Sequence, residues 1–182
     1  MKKIFLATAA AMALAACGKE QPAQEAAAPT TPPSSSAHVA EGYVKKDTYF
    51  RLPGAAGGEI DLAAYSGKPV IVMFFTETCP YCRKAGPFIQ KVYTAYGPKG
   101  LGVVGICVQD SPKAALNFAK DLGVTFPLAY NGGEISRKYR TQGVPYIYLL
   151  NSGHDIYDVW EGYDSQYDQP IISAVEKLLA KK

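Results

Sequence analysis

Histidine is almost absent: His38 and His154 are the only two in 182 residues. The four cysteines are Cys17, Cys79, Cys82 and Cys107, and no second pair stands at ligand spacing from Cys79-x-x-Cys82. A structural zinc centre needs about four ligands, so this composition argues against one. Covalent haem attachment needs C-x-x-C-H, and Arg83 occupies the last position. Excess charge is also lacking, with 19 Lys and Arg against 16 Asp and Glu. Setting aside Lys2 and Lys3, which open a removable leader, leaves 17 against 16. That balance drives neither nucleic-acid nor membrane-surface binding, and no basic block with interleaved aromatics exists. The apolar run Ile4 to Ala16 is too short to span a bilayer stably. No internal repeat is visible.

The N-terminus has the layout of a secretory signal peptide: two lysines, an apolar run, then small residues. Leu14-Ala15-Ala16-Cys17 resembles the bacterial lipobox. That resemblance implies cleavage after Ala16 and lipid attachment to Cys17, the two or more acyl chains giving firm membrane anchorage. Residues 1–16 are therefore expected to be a lipoprotein signal peptide. Residues 17–40, rich in Ala, Pro, Ser and Gln, are expected to be a flexible tether with His38 solvated inside it. A single domain is expected from 41 to 182.

Within that domain the pattern predicts an α/β fold. Tyr49–Leu52 and Glu59–Leu62, around PGAAGG, read as a hairpin. Val70–Phe75 is an unbroken apolar run, the mark of a central strand covered on both faces. A helix is expected from Pro80 to Tyr96, with Phe88, Ile89, Val92 and Tyr93 on one face. A buried strand over Leu101–Val108 follows, then a helix capped by Ser111-Pro112 and ended by Gly123. Phe126–Ala129 is a short strand and Glu134–Tyr139 a short helix. Val144–Leu150 and His154–Trp160 form a hairpin around Asn151-Ser152-Gly153, with Ile171–Leu179 as a closing helix. The alternating part predicts a parallel sheet, to which the last hairpin adds an antiparallel edge.

Cys79 falls where the central strand meets the next helix. Unpaired N–H groups and the positive dipole end there favour a thiolate. Cys82 is one helical turn on, within reach of a mixed disulfide formed at Cys79. Pro80 fits the first turn, having no N–H to lose. A purely structural disulfide across so short a loop would constrain the unfolded chain little. Far away, Gly143-Val144-Pro145-Tyr146 heads a buried strand, where a proline demands a special arrangement such as a cis bond.

The segments GKPVIVMFF, CPYCRKAGPF, GLGVVGICVQDSP and LGVTFPLAYNGGEISRKYRTQGVPYIYLLNSGHDI resemble the thioredoxin superfamily. They are most similar to its membrane-tethered periplasmic branch of the TlpA/ResA type, over roughly Tyr49 to Leu179. The resemblance implies a thioredoxin fold: a mixed sheet flanked by helices, with an N-terminal hairpin and a βα insertion around Ser111 to Thr125. It implies a periplasmic thiol–disulfide oxidoreductase in which Cys79 attacks and Cys82 resolves. It further implies that Pro145 is cis and faces the pair, that the Val144 backbone docks a substrate segment, and that Pro87 kinks the active helix. Pro80 and Tyr81, between the cysteines, would tune the potential. Expected partners are protein thiols and disulfides, plus a transmembrane thiol donor of the DsbD or CcdA type. Cytochrome c maturation is one pathway of this kind. A monomer without metal or cofactor is expected.

Three positions depart from the family. Met73 replaces a buried acid on the central strand, Ala85 a glutamate after the second cysteine, and Thr78 a tryptophan before the first. No obvious base is left near Cys82; Glu77 is a candidate, though it reads more readily as a surface carboxylate. Pro-Tyr between the cysteines resembles glutaredoxin and periplasmic isomerase pairs, so a DsbA/DsbG-like oxidant or isomerase stays open. A peroxiredoxin is disfavoured by Val72, which stands where its motif has proline. A Sco-like copper chaperone would have to use Cys79, Cys82 and His154. Cys107 reads as core filler, His154 as a hairpin-tip residue, Trp160 and Tyr148 as packing or surface aromatics, and Tyr146 as a lining of the groove beside Pro145.

Overall fold

Val70–Phe75 organises the fold because strand geometry sends alternate side chains to opposite faces. Val70, Val72 and Phe74 enter one apolar cluster with Phe50, Leu62 and Tyr148, while Ile71, Met73 and Phe75 enter another with Ile89, Phe118 and Val175. The computed structural model describes residues 42–181. The expected leader, Cys17, the tether and His38 lie outside the described residues.

A hairpin of β1 (Arg51–Pro53) and β2 (Glu59–Asp61) comes first. Then follow β3 (Val70–Phe75), α1 (Pro80–Tyr96), β4 (Gly102–Cys107), α2 (Pro112–Leu122) and β5 (Leu128–Ala129). The chain continues through α3 (Gly133–Lys138), β6 (Tyr146–Leu150), β7 (Ile156–Glu161) and α4 (Asp168–Leu179). The main sheet has the order β5-β4-β3-β6-β7. β3, β4 and β5 run parallel, while β6 is antiparallel to β3 and β7 to β6. The final hairpin is thus more than an appended edge: β6 lies directly against the central strand, fully buried, and only β7 faces outward. The N-terminal hairpin covers the opposite edge, with Ala55 N–H donating to Leu128 O (2.7 Å) and Tyr130 N–H to Pro53 O (3.1 Å).

Several boundaries shift by one or two residues from the sequence pattern, and two of these shifts lie at proline. β5 is confined to two residues after Pro127, and β6 starts only after Pro145, because neither proline can donate to a ladder. α2 begins at Pro112 and ends on Gly123 at φ 65°, as its signals indicated.

His154 is where the expectation needs correcting. It does lie in the β6–β7 turn, but it is fully buried. Tyr43 Oη lies 2.7 Å from Nδ1, Nε2 lies 3.1 Å from the Tyr65 carbonyl, and Thr48 Oγ1 donates to the His154 carbonyl at 2.5 Å. A carbonyl facing Nε2 requires a proton there, leaving Nδ1 to accept from Tyr43. Burial, the largest influence, pulls the imidazole below its ordinary pKa; the Tyr65 and Lys68 carbonyls and Asp155 oppose this, and Lys46 assists. An unfolded histidine takes up a proton near pH 6.5, and this folded one resists. Stability is therefore complete above about pH 6.5 and falls as pH drops below it, by at most ~1.4 kcal/mol per pH unit. Urea unfolding at pH 7.5 and 5.5 should show this loss in the wild type and a smaller one in His154→Gln. Equal pH dependence in both proteins would remove His154 as its source.

Candidate active site

β3 and β4 end side by side, with Phe75 paired to Cys107. The C-terminal ends of parallel strands are where open α/β sheets build their sites. The Thr76–Thr78 loop leaves β3 there and delivers Cys79 as the N-cap of α1. Cys79 Sγ accepts the backbone N–H of Cys82 at 3.3 Å, one of the orphan donors of the first turn. Its thiol also reaches the Val144 carbonyl, at 3.4 Å. The Val144–Pro145 bond is cis. Thus Cys79, Cys82, Val144 and Pro145, remote in sequence, meet at one end of the sheet. Pro80 and Tyr81 lie beside them at the surface, Tyr81 being 57% exposed and roofed by Lys84 Nζ at 5.4 Å from the ring.

The two thiols have different surroundings. Cys79 is half-buried, while Cys82 is fully buried in the cluster holding Met73 and Ala85. Burial, first, and then the neighbouring Cys79 sulfur push the Cys82 thiol well above its ordinary range, with the Thr76 backbone opposing. Met73 and Ala85 thus leave Cys82 in an apolar wall. The geometry gives one accessible sulfur that can attack and one protected sulfur a turn behind it. That is the arrangement for making and breaking a mixed disulfide.

Glu77 differs from the expected exposed carboxylate. It is partly buried, and Asn117 Nδ2 donates to its carboxylate at 2.7 Å. Its backbone N–H donates to Gln109 Oε1 at 2.9 Å, and Arg83 Nη1 lies 3.5 Å from its carbonyl oxygen. The charge of Glu77 acts on Cys107, whose thiol is pushed up by burial first, against the Gln109 backbone, with Glu77 adding to it. Gln109 and Asn117 are residues that sequence reasoning passed over. The one available signal was a polar Gln109 directly after a buried strand, at the end of the sheet where sites form.

The copper alternative fails on distance. Leu150 pairs with Val70 at the start of β3, so His154, just beyond Leu150, lies at the end of the sheet opposite Cys79. Strand rise over β3 separates these ends by roughly 17 Å, and both imidazole nitrogens already face partners. Among the described residues, no group of three or more His, Cys, Asp or Glu could hold a metal, and no helix is long and apolar enough to cross a membrane. Trp160, Tyr146 and Tyr148 are all buried packing residues. Tyr146 pairs with Phe74, and the same register sets Pro145 level with Phe75, the last residue of β3.

Known proteins resemble this chain in sequence and in fold. The family model described as AhpC/TSA family matches residues 45–158. The thiol-disulfide oxidoreductase ResA of Bacillus thuringiensis subsp. konkukian is 29% identical over 108 residues, 59% of this chain and 62% of that protein. The chain thus spans about three fifths of the length of the curated relatives it matches. A thiol:disulfide interchange protein of the thioredoxin family from Chlorobium tepidum TLS superposes with TM-score 0.64 at 25% identity, over 72% of this chain and 93% of that one. Peroxiredoxin Q of Xanthomonas campestris superposes with TM-score 0.62 at 19% identity, over 71% and 91%. The fold is the thioredoxin fold.

Proposed function

The chain belongs to the AhpC/TSA family, and on that premise we propose that it is a thiol–disulfide oxidoreductase of the TlpA/ResA-like branch of the thioredoxin superfamily. One observation carries this reading: Cys79 Sγ sits between the Cys82 N–H at 3.3 Å and the Val144 carbonyl at 3.4 Å. As a thiolate, Cys79 attacks one sulfur of a substrate disulfide and expels the other as a thiolate. Cys82 loses its proton and attacks the Cys79 sulfur, which releases the second substrate thiol. Cys79 and Cys82 are left as a disulfide, two electrons having passed to the substrate. Val144, with its carbonyl beside Cys79, docks the extended substrate segment, and Pro145 holds it there. The paired sulfurs favour this exchange over peroxide reduction; peroxide consumption at a rate exceeding insulin reduction would reverse that preference.

The preferred direction is reduction, as the resemblance to ResA-type proteins suggests. The alternative, a DsbA/DsbG-like oxidant or isomerase, is favoured by Pro80-Tyr81 between the cysteines. In the periplasm a reductant needs a supply of electrons, for which a transmembrane thiol donor of the DsbD or CcdA type is the natural partner. Cys17 would carry the lipid anchor that keeps the domain near that donor, and cytochrome c maturation is one fitting pathway.

Equilibration of the Cys79/Cys82 pair with glutathione tests the direction. A potential near −270 mV marks a reductant and one near −120 mV an oxidant, the rough limits known for such pairs. In the same preparations Cys17→Ser should move the protein from membranes to the soluble fraction. Unchanged membrane association would overturn the anchor.

A further inference from the structure

Gln109 stands outside the sulfur chemistry, yet it is bonded into the loop that delivers the nucleophile. The parallel ladder between β3 and β4 continues one step past the strands, with Val108 N–H donating to Phe75 O at 3.0 Å. The next donor on that side of the chain is the Glu77 N–H. In a regular parallel ladder it would bond a backbone carbonyl of the neighbouring strand. Here Gln109 Oε1 takes it, at 2.9 Å, while the Cys107 thiol lies 3.7 Å from the same oxygen. Gln109 is itself tied down, because its backbone carbonyl accepts from Asn131 N–H at 2.8 Å. Glu77 is then held at two further points, its carboxylate by Asn117 on α2 and its carbonyl by Arg83 on α1. Arg83 is braced in turn by Asp121 at 3.2 Å. A residue two positions before Cys79 is thus clamped from both sides by groups that touch neither sulfur.

We propose that Gln109 is a positioning residue for the attacking thiol: its side-chain carbonyl, bonded to the Glu77 N–H, holds the Thr76–Thr78 loop and so the aim of Cys79 toward Val144 and Cys82. The bond must come from a side chain because the loop has already turned away from β4 to enter α1. Without it, Glu77 keeps the long Arg83 contact and the Asn117 bond, and Cys79 samples orientations in which Sγ leaves the Cys82 N–H. Reaction at Cys79 then slows, whatever the electrophile. The inference rests on Cys79 being the attacking thiol of the proposed function.

The test compares Gln109→Met with Gln90→Met. Methionine keeps the length of the side chain and removes the acceptor. Gln90 makes an equivalent bond, its Oε1 accepting the Thr125 N–H at 2.8 Å, but along α1 at roughly 16 Å from Cys79. Two rates are read: carbamidomethylation of Cys79 by iodoacetamide in the reduced protein, mapped by mass spectrometry, and insulin reduction. Gln109→Met should lower both about tenfold, the worth of one hydrogen bond. Gln90→Met should leave both within about twofold while lowering Tm comparably. Should Gln109→Met fail to fold, Asn117→Ala serves instead, with a several-fold drop in both rates. Wild-type alkylation of Cys79 in Gln109→Met, or equal slowing in Gln90→Met, overturns the proposal. If the wild type reduces no insulin but the alkylation pattern holds, the oxidoreductase reading falls and the positioning role stands.

Discussion

Cys79→Ala is expected to abolish insulin reduction, by on the order of 10⁴-fold or more, leaving only the reaction of free thiols in the assay. The size of the effect follows from the geometry. Cys79 is the one thiol of the pair with solvent access, and Cys82 is sealed among Met73, Ala85 and Phe75. Burial pushes the Cys82 proton loss well above its ordinary range, so this sulfur cannot take over the first attack. Cys82→Ala should behave differently. Its Cys79 still attacks but nothing resolves the product, so mixed disulfides with protein partners should accumulate and be recoverable on non-reducing gels. Activity retained in Cys79→Ala, or no trapped species in Cys82→Ala, would sink the assignment of the two roles. Cys107, buried and bonded toward Gln109, is no substitute for either.

Phe118→Ala is expected to destabilise the domain by about 3–5 kcal/mol, lowering Tm by roughly 10–15 °C. Phe118 is fully buried, and its ring lies 4.2 Å from that of Phe75, centroid to centroid. On the other side it fills the space left by Gly86, where even a Cβ would come within 3.0 Å of its ring. It therefore seats α2 on α1 at the point where α1 carries Cys82 and Ala85, all in one apolar cluster. Both helices are held by the rest of that cluster, so the cavity cannot close cheaply. Because a domain of this kind is stable by only about 5–15 kcal/mol, the loss is a large part of the total. Thermal and urea unfolding measure it. A cost below about 1 kcal/mol would mean that this helix–helix contact is not central to the core.

Much of the fold is legible from residue pattern. Val70–Phe75 could only be a doubly covered strand, and its neighbours Gly102–Cys107 and Tyr146–Leu150 carry the same apolar signal. α2 starts after Ser111 and stops at Gly123 where the sequence puts those ends, because Pro at the first turn and a left-handed glycine act locally; the Ser111 side chain makes no capping bond. What pattern mislaid was long-range. His154 sits between Asn151-Ser152-Gly153 and a polar aspartate, and every local signal makes it a solvated turn residue. It is buried because Tyr43, Thr48 and Tyr65, about 90 to 110 positions away, close over it. Glu77 likewise carries no local sign of its bonds to Gln109 and Asn117.

The sequence by itself therefore determined the elements, their order and the candidate pair of cysteines. Each depends on interactions within a few residues: strand alternation, helix caps, and the one-turn spacing of Cys79 and Cys82. Only the tertiary structure decided what surrounds that pair. It brought the Val144 carbonyl to Cys79, walled Cys82 with Met73 and Ala85, carried His154 to the far end of the sheet, and closed Gln109 on the loop before Cys79. Contacts between residues dozens of positions apart depend on how strands pair and helices pack, and no local spacing encodes them.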